Sequence, residues 1–288
     1  MTSLVRKTGL ALEMIKWEHS IFALPFALTA SVLAARGWPK ISVLLLIIVC
    51  MVSARTAAMA FNRLADADLD GANPRTATRA LPQGVLSKGF VAGFVAVSAA
   101  IFLLAAGMLN RLTLELAPVA LGVVLVYSYM KRITRWSHLV LGLSLGIAPS
   151  AAWIAVRGSF DPRIAVLTLA VLLWVGGFDV LYACQDFEHD RRAGLNSVPQ
   201  AFGVEAAFWI ARVMHLGMIA VLVWLIQLFG LGGIAMAGVG LVAILLAYEH
   251  AIISPKDLRR MNAAFFTLNG IISVVFFCFV AADVLIRR

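Results

Sequence analysis

The chain has 288 residues, 62% hydrophobic and only 14% charged, where soluble domains are roughly a quarter charged. That balance excludes an ordinary soluble fold, and the net charge of +9 does not point to nucleic acid, because Lys and Arg sit in short clusters between apolar runs and line no solvated face. Cys50, Cys184 and Cys278 are odd in number, widely separated and without metal-ligand spacing, so they read as packing residues with no disulfide framework.

Apolar runs between charged, Gly or Pro punctuation predict spans near residues 20–36, 41–65, 89–109, 112–130, 136–156, 164–185, 204–229, 231–250 and 263–286. Their lengths suit a hydrocarbon core of about 30 Å, and backbone groups in lipid must be satisfied within their own segment, so each span is expected to be a helix. The expected architecture is an all-α integral membrane bundle of about nine transmembrane helices, with residues 1–288 forming a single domain. Arg6, Lys7 and Lys16 ahead of the first run outline a secretory signal; Glu13, Glu18, His19 and Pro25 argue against one, and the first run is expected to join the bundle.

Nine spans put the N-terminus on the same side as the loops after spans 2, 4, 6 and 8. Of the 24 Lys and Arg residues, fifteen fall on that side, seven on the other, and Arg55 and Arg212 lie inside helices. By the positive-inside rule the richer side is cytoplasmic, and the protein is expected in the cell inner (plasma) membrane as a multi-pass protein.

Span 2 closes on a polar cluster, Asn62-Arg63-Leu64-Ala65-Asp66-Ala67-Asp68-Leu69-Asp70, followed by Asn73-Pro74-Arg75-Thr76 and Arg79. At 100° per residue, Asn62, Asp66 and Asp70 fall within about 80° of one another on a helix, while Asp68 points elsewhere. Span 6 closes on Asp179-Val180-Leu181-Tyr182-Ala183-Cys184-Gln185-Asp186-Phe187-Glu188-His189-Asp190, in which Asp179, Asp186 and Asp190 return to within about 40° of one face. The recurrence hints at a repeat and suggests that both clusters face one cavity. Seven of the 15 acidic residues lie in these two clusters.

Carboxylates at a bilayer boundary are costly unless a cation, a partner or water offsets them. One such stripe is as well explained by a solvated helix end. Two stripes on one side, with Arg75, Arg79, Lys131, Arg132, Arg191 and Arg192 beside them, point to Mg²⁺ held by hard oxygen ligands and carrying a diphosphate whose remaining oxygens meet Lys and Arg.

These motifs, Asn62-x-x-x-Asp66-x-x-x-Asp70 with Arg75-Thr76-x-x-Arg79, and Asp179-x-x-Tyr182-x-x-x-Asp186-x-x-x-Asp190, resemble the paired motifs of the UbiA superfamily of intramembrane prenyltransferases. The likeness extends to Tyr127-Ser128-Tyr129-Met130-Lys131-Arg132-Ile133-Thr134 and to Gly194-Leu195-Asn196-Ser197-Val198-Pro199 with Phe202-Gly203. It implies a cavity opening to the cytoplasmic side and laterally to lipid, and transfer of a polyprenyl group from an allylic polyprenyl diphosphate to an aromatic acid acceptor in quinone biosynthesis. The Met-Lys-Arg-x-Thr loop is similar to 4-hydroxybenzoate polyprenyltransferases; Tyr182-Ala183-Cys184-Gln185-Asp186 is similar to a branch linked to menaquinone made by the futalosine route, with 1,4-dihydroxy-6-naphthoate as acceptor. The resemblance implies Asn62, Asp66, Asp70, Asp186 and Asp190 as Mg²⁺ ligands, Arg75, Arg79, Lys131 and Tyr127 for the diphosphate, Asp179 for the acceptor hydroxyl, and Tyr182 and Arg132 for the acceptor, with Arg132 alternatively serving the diphosphate. Arg63 departs from it, since many members carry an acidic residue there.

Other residues carry plainer expectations. His19, His138, His215 and His250 share no spacing and read as packing or interfacial hydrogen bonding. Trp17, Trp38, Trp136 and Trp153 read as interface anchors, and Phe22 and Phe178 are candidates to line a tunnel. The rivals are a cation-coupled transporter, which would place its charges near mid-helix, and another enzyme of the same superfamily, such as a protohaem farnesyltransferase or chlorophyll synthase.

Overall fold

The computed structural model describes residues 4–14, 23–261 and 267–287. After α1 (Leu4–Met14) and α2 (Leu24–Ala35) come α3 (Ile41–Ala65), the short α4 (Ala67–Ala72), α5 (Lys88–Leu109), α6 (Arg111–Ile133), α7 (Ser137–Arg157) and α8 (Ala165–Ala183). The short α9 (Phe187–Ala193) and α10 (Val198–Phe202) lead into α11 (Val204–Leu228), α12 (Gly233–Ile252) and α13 (Asn269–Ile286). Among the described residues eight helical segments are long and apolar enough to cross a membrane. The first predicted span appears as the 12-residue α2, about 18 Å long and short of a full crossing. Lys16, Trp17, Glu18, His19 and Phe22, and residues 262–266 of the last predicted span, lie outside the described residues.

The helix ends follow from their local chemistry. Ser87 caps α5 by accepting the Phe90 N–H, and Asn110 caps α6 by accepting that of Thr113. The Asn110 amide also donates to the Ile154 and Ala155 carbonyls at 2.9 and 3.1 Å, in the last turn of α7, where Ile154 also accepts the Gly158 N–H at 2.7 Å. Gly158 ends α7 in the left-handed region at φ 67°, which glycine adopts without steric cost.

The contacts run as a circuit: α3 against α5 and α6, α6 against α7, α7 against α8, α8 against α11, α11 against α12, α12 against α13, and α13 against α2, which lies back on α7. The centre belongs to α8. Two thirds of its apolar window (67%) is buried within the protein, against 11% to 44% for the other spans, so α8 meets protein where the rest present large apolar side chains outward. Trp174 of α8 is fully buried, with Phe26 and Phe178 ring centroids at 5.0 and 5.2 Å and Phe276 against Phe26 at 5.6 Å. Phe178 is thus part of this aromatic core. Trp38 and Trp136 are exposed as an interface role requires, whereas Trp153 is buried against Phe229, which corrects its reading as an anchor.

Small residues bring α7 onto α8. A Cβ on Gly142 would strike the Leu172 carbonyl oxygen, and one on Gly146 would lie 2.8 Å from that of Thr168. Only hydrogen at these two positions, four residues apart on one face, permits the approach. The same contact lets Ser150 and Thr168 share a hydrogen bond at 2.8 Å.

Candidate active site

The C-terminal ends of α3, α6 and α8 meet at one end of the bundle, and each brings charge with it. α3 stops at Ala65, where Asp66 leaves helical geometry (φ −99°, ψ 9°), and α4 restarts with the Asp70 N–H on the Asp66 carbonyl at 2.7 Å. The predicted stripe is therefore broken in the middle, yet its members stay together. Asn62 donates to Asp66 at 3.1 Å, and Arg79 Nη1 lies 2.7 Å from both oxygens of Asp70, with Arg63 on the other side of Asp70 at 3.9 Å. Asp68 points away, as its angle predicted, and pairs with Lys88 on the surface.

The end of α6 closes over this group. Lys131 Nζ and Arg132 Nη2 reach Asp66 at 2.8 and 2.9 Å, and Arg132 also donates to the Ala65 carbonyl at 2.7 Å. Asp66, 2% exposed, thus carries two cations and an amide. Half-buried Tyr127, one turn back on α6, is close enough to interact electrostatically with Asp66 and Arg63 of the first motif and Asp179 of the second.

The second motif is not one continuous helical stripe either. α8 ends at Ala183, a single 3-10 turn covers Cys184–Asp186, and α9 follows. Asp186 turns toward the loop after α4. Arg75 forks onto its two oxygens, Nε at 2.8 Å on Oδ1 and Nη2 on Oδ2, while Asn73 donates to Oδ1 at 3.2 Å. This ion pair between residues 111 apart joins the motifs. Asn73 also accepts the Arg75 N–H at 3.0 Å, and buried Thr76 donates to the Asp70 carbonyl at 2.9 Å, so the loop is tied at both of its turns. Burial pulls the Arg75 guanidinium down, but hydrogen bonding and charge from Asp186 outweigh it and hold its pKa above the ordinary value. Asp190 follows on α9, with Asp186, Ser197 and Lys131 in its electrostatic surroundings.

Asp179, one helical stretch before Asp186, faces α7 instead. Its Oδ2 lies 2.7 Å from His138 Nδ1, whose ring accepts the buried Val198 N–H on Nε2 at 3.2 Å. His138 is therefore not a mere packing residue. Tyr182 sits beside Arg75, its hydroxyl 3.4 Å from Nη1 and its ring centroid 5.7 Å from the guanidinium carbon, which places it with Asp186. Arg132, expected at the acceptor, sits on Asp66. His215 and His250, without shared spacing in sequence, hydrogen-bond to each other at 3.0 Å within the bundle.

Sequence reasoning missed the contacts of Asn73 and His138. Asn73 had a signal, since Asn-Pro marks a turn whose side chain is free to cap it. His138 had none, because its carboxylate lies 41 residues away.

The charges interleave: Asp66, Asp70, Asp186 and Asp190 lie among Arg63, Arg75, Arg79, Lys131 and Arg132. Among the described residues no three His, Cys, Asp or Glu side chains are close enough to hold a metal ion as they stand. The donor set nevertheless fits a hard cation bound together with phosphate. The Asn and Asp oxygens are hard donors, every cation now on a carboxylate is a Lys or Arg of the kind that can pair with phosphate, and the buried Arg63 Nε has no hydrogen-bond partner, leaving a donor that suits an anion.

The UbiA prenyltransferase family pattern matches residues 23–271. A 4-hydroxybenzoate octaprenyltransferase of Vibrio cholerae is 33% identical over 246 residues, covering 84% of this chain and 85% of that protein. Among solved structures, the apo UbiA homolog from Aeropyrum pernix K1 is 33% identical, with a TM-score of 0.84 over 93% of this chain and 98% of that one. The UbiA homolog from Archaeoglobus fulgidus bound to DMAPP and Mg²⁺ shares the fold at 19% identity, with a TM-score of 0.71 over 95% and 98% of the two chains.

Proposed function

We infer the reaction from kinship and geometry together: the chain belongs to the UbiA prenyltransferase family, and we propose that it moves a polyprenyl group from an allylic polyprenyl diphosphate to an aromatic acid. The observation that carries this reading is the meeting of both acidic motifs with five basic side chains at one end of an apolar bundle, tied across by Arg75 and Asp186. The curated relatives act, by their names, on 4-hydroxybenzoate, and a structural neighbour binds DMAPP and Mg²⁺. The acceptor here is 4-hydroxybenzoate or 1,4-dihydroxy-6-naphthoate. The prenyl tail enters sideways from lipid into the single bundle, whose charged end opens to the cytoplasm across the plasma membrane.

Asn62, Asp66, Asp70, Asp186 and Asp190 would hold Mg²⁺. When bound, Mg²⁺ supplies concentrated positive charge that polarises the diphosphate as a leaving group. Arg75, Arg79 and Lys131 pass from carboxylates to phosphate oxygens as the substrate arrives, with Tyr127 beside them; Arg132, adjacent to Lys131 on Asp66, goes with the diphosphate. Their fixed charge favours cleavage of the allylic C–O bond, the electron pair leaving with the diphosphate. Asp179 accepts the acceptor hydroxyl and raises the electron density of the ring, Tyr182 borders the acceptor, and a ring carbon forms the new C–C bond to the allylic cation. The ring proton then passes to the released diphosphate, which restores aromaticity. The apolar bundle keeps water from capturing the cation first.

The test is prenyl transfer by purified protein in liposomes with a polyprenyl diphosphate, Mg²⁺ and each acceptor in turn, scoring product and released diphosphate. Product with one acceptor, lost on adding a chelator, supports the reading and selects the acceptor. Diphosphate release without product on either acceptor overturns the acceptor assignment and leaves the ionisation chemistry. Neither signal from folded protein overturns the whole.

A further inference from the structure

The first turn of α7 lays His138 against the last turns of α8, in contact with the strap between α9 and α10, where no motif predicted a working residue. We propose that His138 is a positioning residue: a neutral imidazole, protonated on Nδ1, that fixes the Asp179 carboxylate for the acceptor and takes no proton from it. The inference rests on the reading of Asp179 as the group that meets the acceptor hydroxyl.

Hydrogen-bond polarity settles the tautomer. The Val198 N–H is a donor by nature, buried at the first position of α10 where no carbonyl of its own helix can receive it. It lies 3.2 Å from His138 Nε2, so Nε2 must present a lone pair. The proton of the neutral ring then sits on Nδ1 and is donated to Asp179 Oδ2 at 2.7 Å. A doubly protonated ring would set N–H against N–H inside the protein, since His138 is only 3% exposed.

Two consequences follow for the acceptor. With Oδ2 committed to the ring, Oδ1 is the oxygen that meets the acceptor hydroxyl. With Nε2 committed to the backbone, the imidazole has no second site through which to pass a proton, so it orients and does not relay.

Two substitutions separate the two bonds. His138→Asn places an amide donor where Nδ1 stood and keeps the bond to Asp179; His138→Gln places a carbonyl where Nε2 stood and keeps only the bond to Val198. In the full chain in liposomes, with thermal stability measured alongside, H138Q should lower kcat by up to about 100-fold with the KM for the prenyl diphosphate unchanged. H138N should stay within about tenfold of wild type. Equal losses in both variants, or an unimpaired H138Q, overturn the proposal; if H138Q does not fold, a loss beyond about tenfold in folded H138N does so alone. Asp179→Asn is measured in parallel. Normal turnover there defeats the reading of Asp179 itself, whereas an inactive D179N beside an unimpaired H138Q defeats only the positioning role.

Discussion

Asp66→Asn tests the charged junction most directly. The carboxylate is 2% exposed and accepts from Lys131 at 2.8 Å, Arg132 at 2.9 Å and Asn62 at 3.1 Å. The substitution keeps shape and removes charge, and it points an amide N–H₂ at cations or at the Asn62 amide. A hydrogen bond to a charged group contributes about 1.5–3 kcal/mol. Lys131 and Arg132 are about one-third exposed (35% and 34%), so water screens them and each contribution falls toward the lower limit or beneath it. The expected cost is roughly 2–3 kcal/mol, which lowers the unfolding midpoint in detergent by roughly 4–12 °C. Because Asp66 is also a proposed metal ligand, diphosphate release should fall by at least about 100-fold even below that midpoint. Scanning fluorimetry and a diphosphate-release assay on the same preparation separate the two effects. Unchanged midpoint and unchanged release would refute the reasoning, and a lowered midpoint with full release would reduce Asp66 to a pin between α3 and α6.

Arg75→Lys keeps the charge and loses the fork on Asp186 and the contact with Tyr182, so the KM for prenyl diphosphate should rise about tenfold, near 1.5 kcal/mol; an unchanged KM would show that a point charge suffices. Gly142→Val drives a side chain into the Leu172 carbonyl, which cannot yield without parting α7 from α8, and should cost about 3 kcal/mol in apparent stability; a wild-type midpoint would refute the close approach. Glu249, 1% exposed on α12, receives Asn269 at 3.3 Å on Oε1 while Oε2 has no hydrogen-bond partner. Glu249→Gln keeps the acceptor for Asn269 and removes the buried ionisable group, so stability should hold or rise by up to about 2 kcal/mol, and a clear fall would show that the carboxyl itself is needed.

The sequence by itself determined the class of the molecule. Hydropathy is a local quantity, so runs of apolar residues predicted the long helices, with most bounds within a few residues of the observed ones, such as 41–65 and Ile41–Ala65. The acidic motifs were legible for the same reason: spacing along one helix is fixed by its own geometry. Tertiary structure decided the rest. The breaks at Asp66 and at Cys184–Asp186 bend each stripe where the end of α6 and the loop after α4 reach in with Arg132 and Arg75. No local period tells which cation finds which carboxylate across 66 or 111 residues, or that His138 meets Asp179 across 41. Those pairings depend on how closely the helices approach one another; for His138 and Asp179 that approach runs along α7 and α8, where Gly142 and Gly146 let backbone touch backbone.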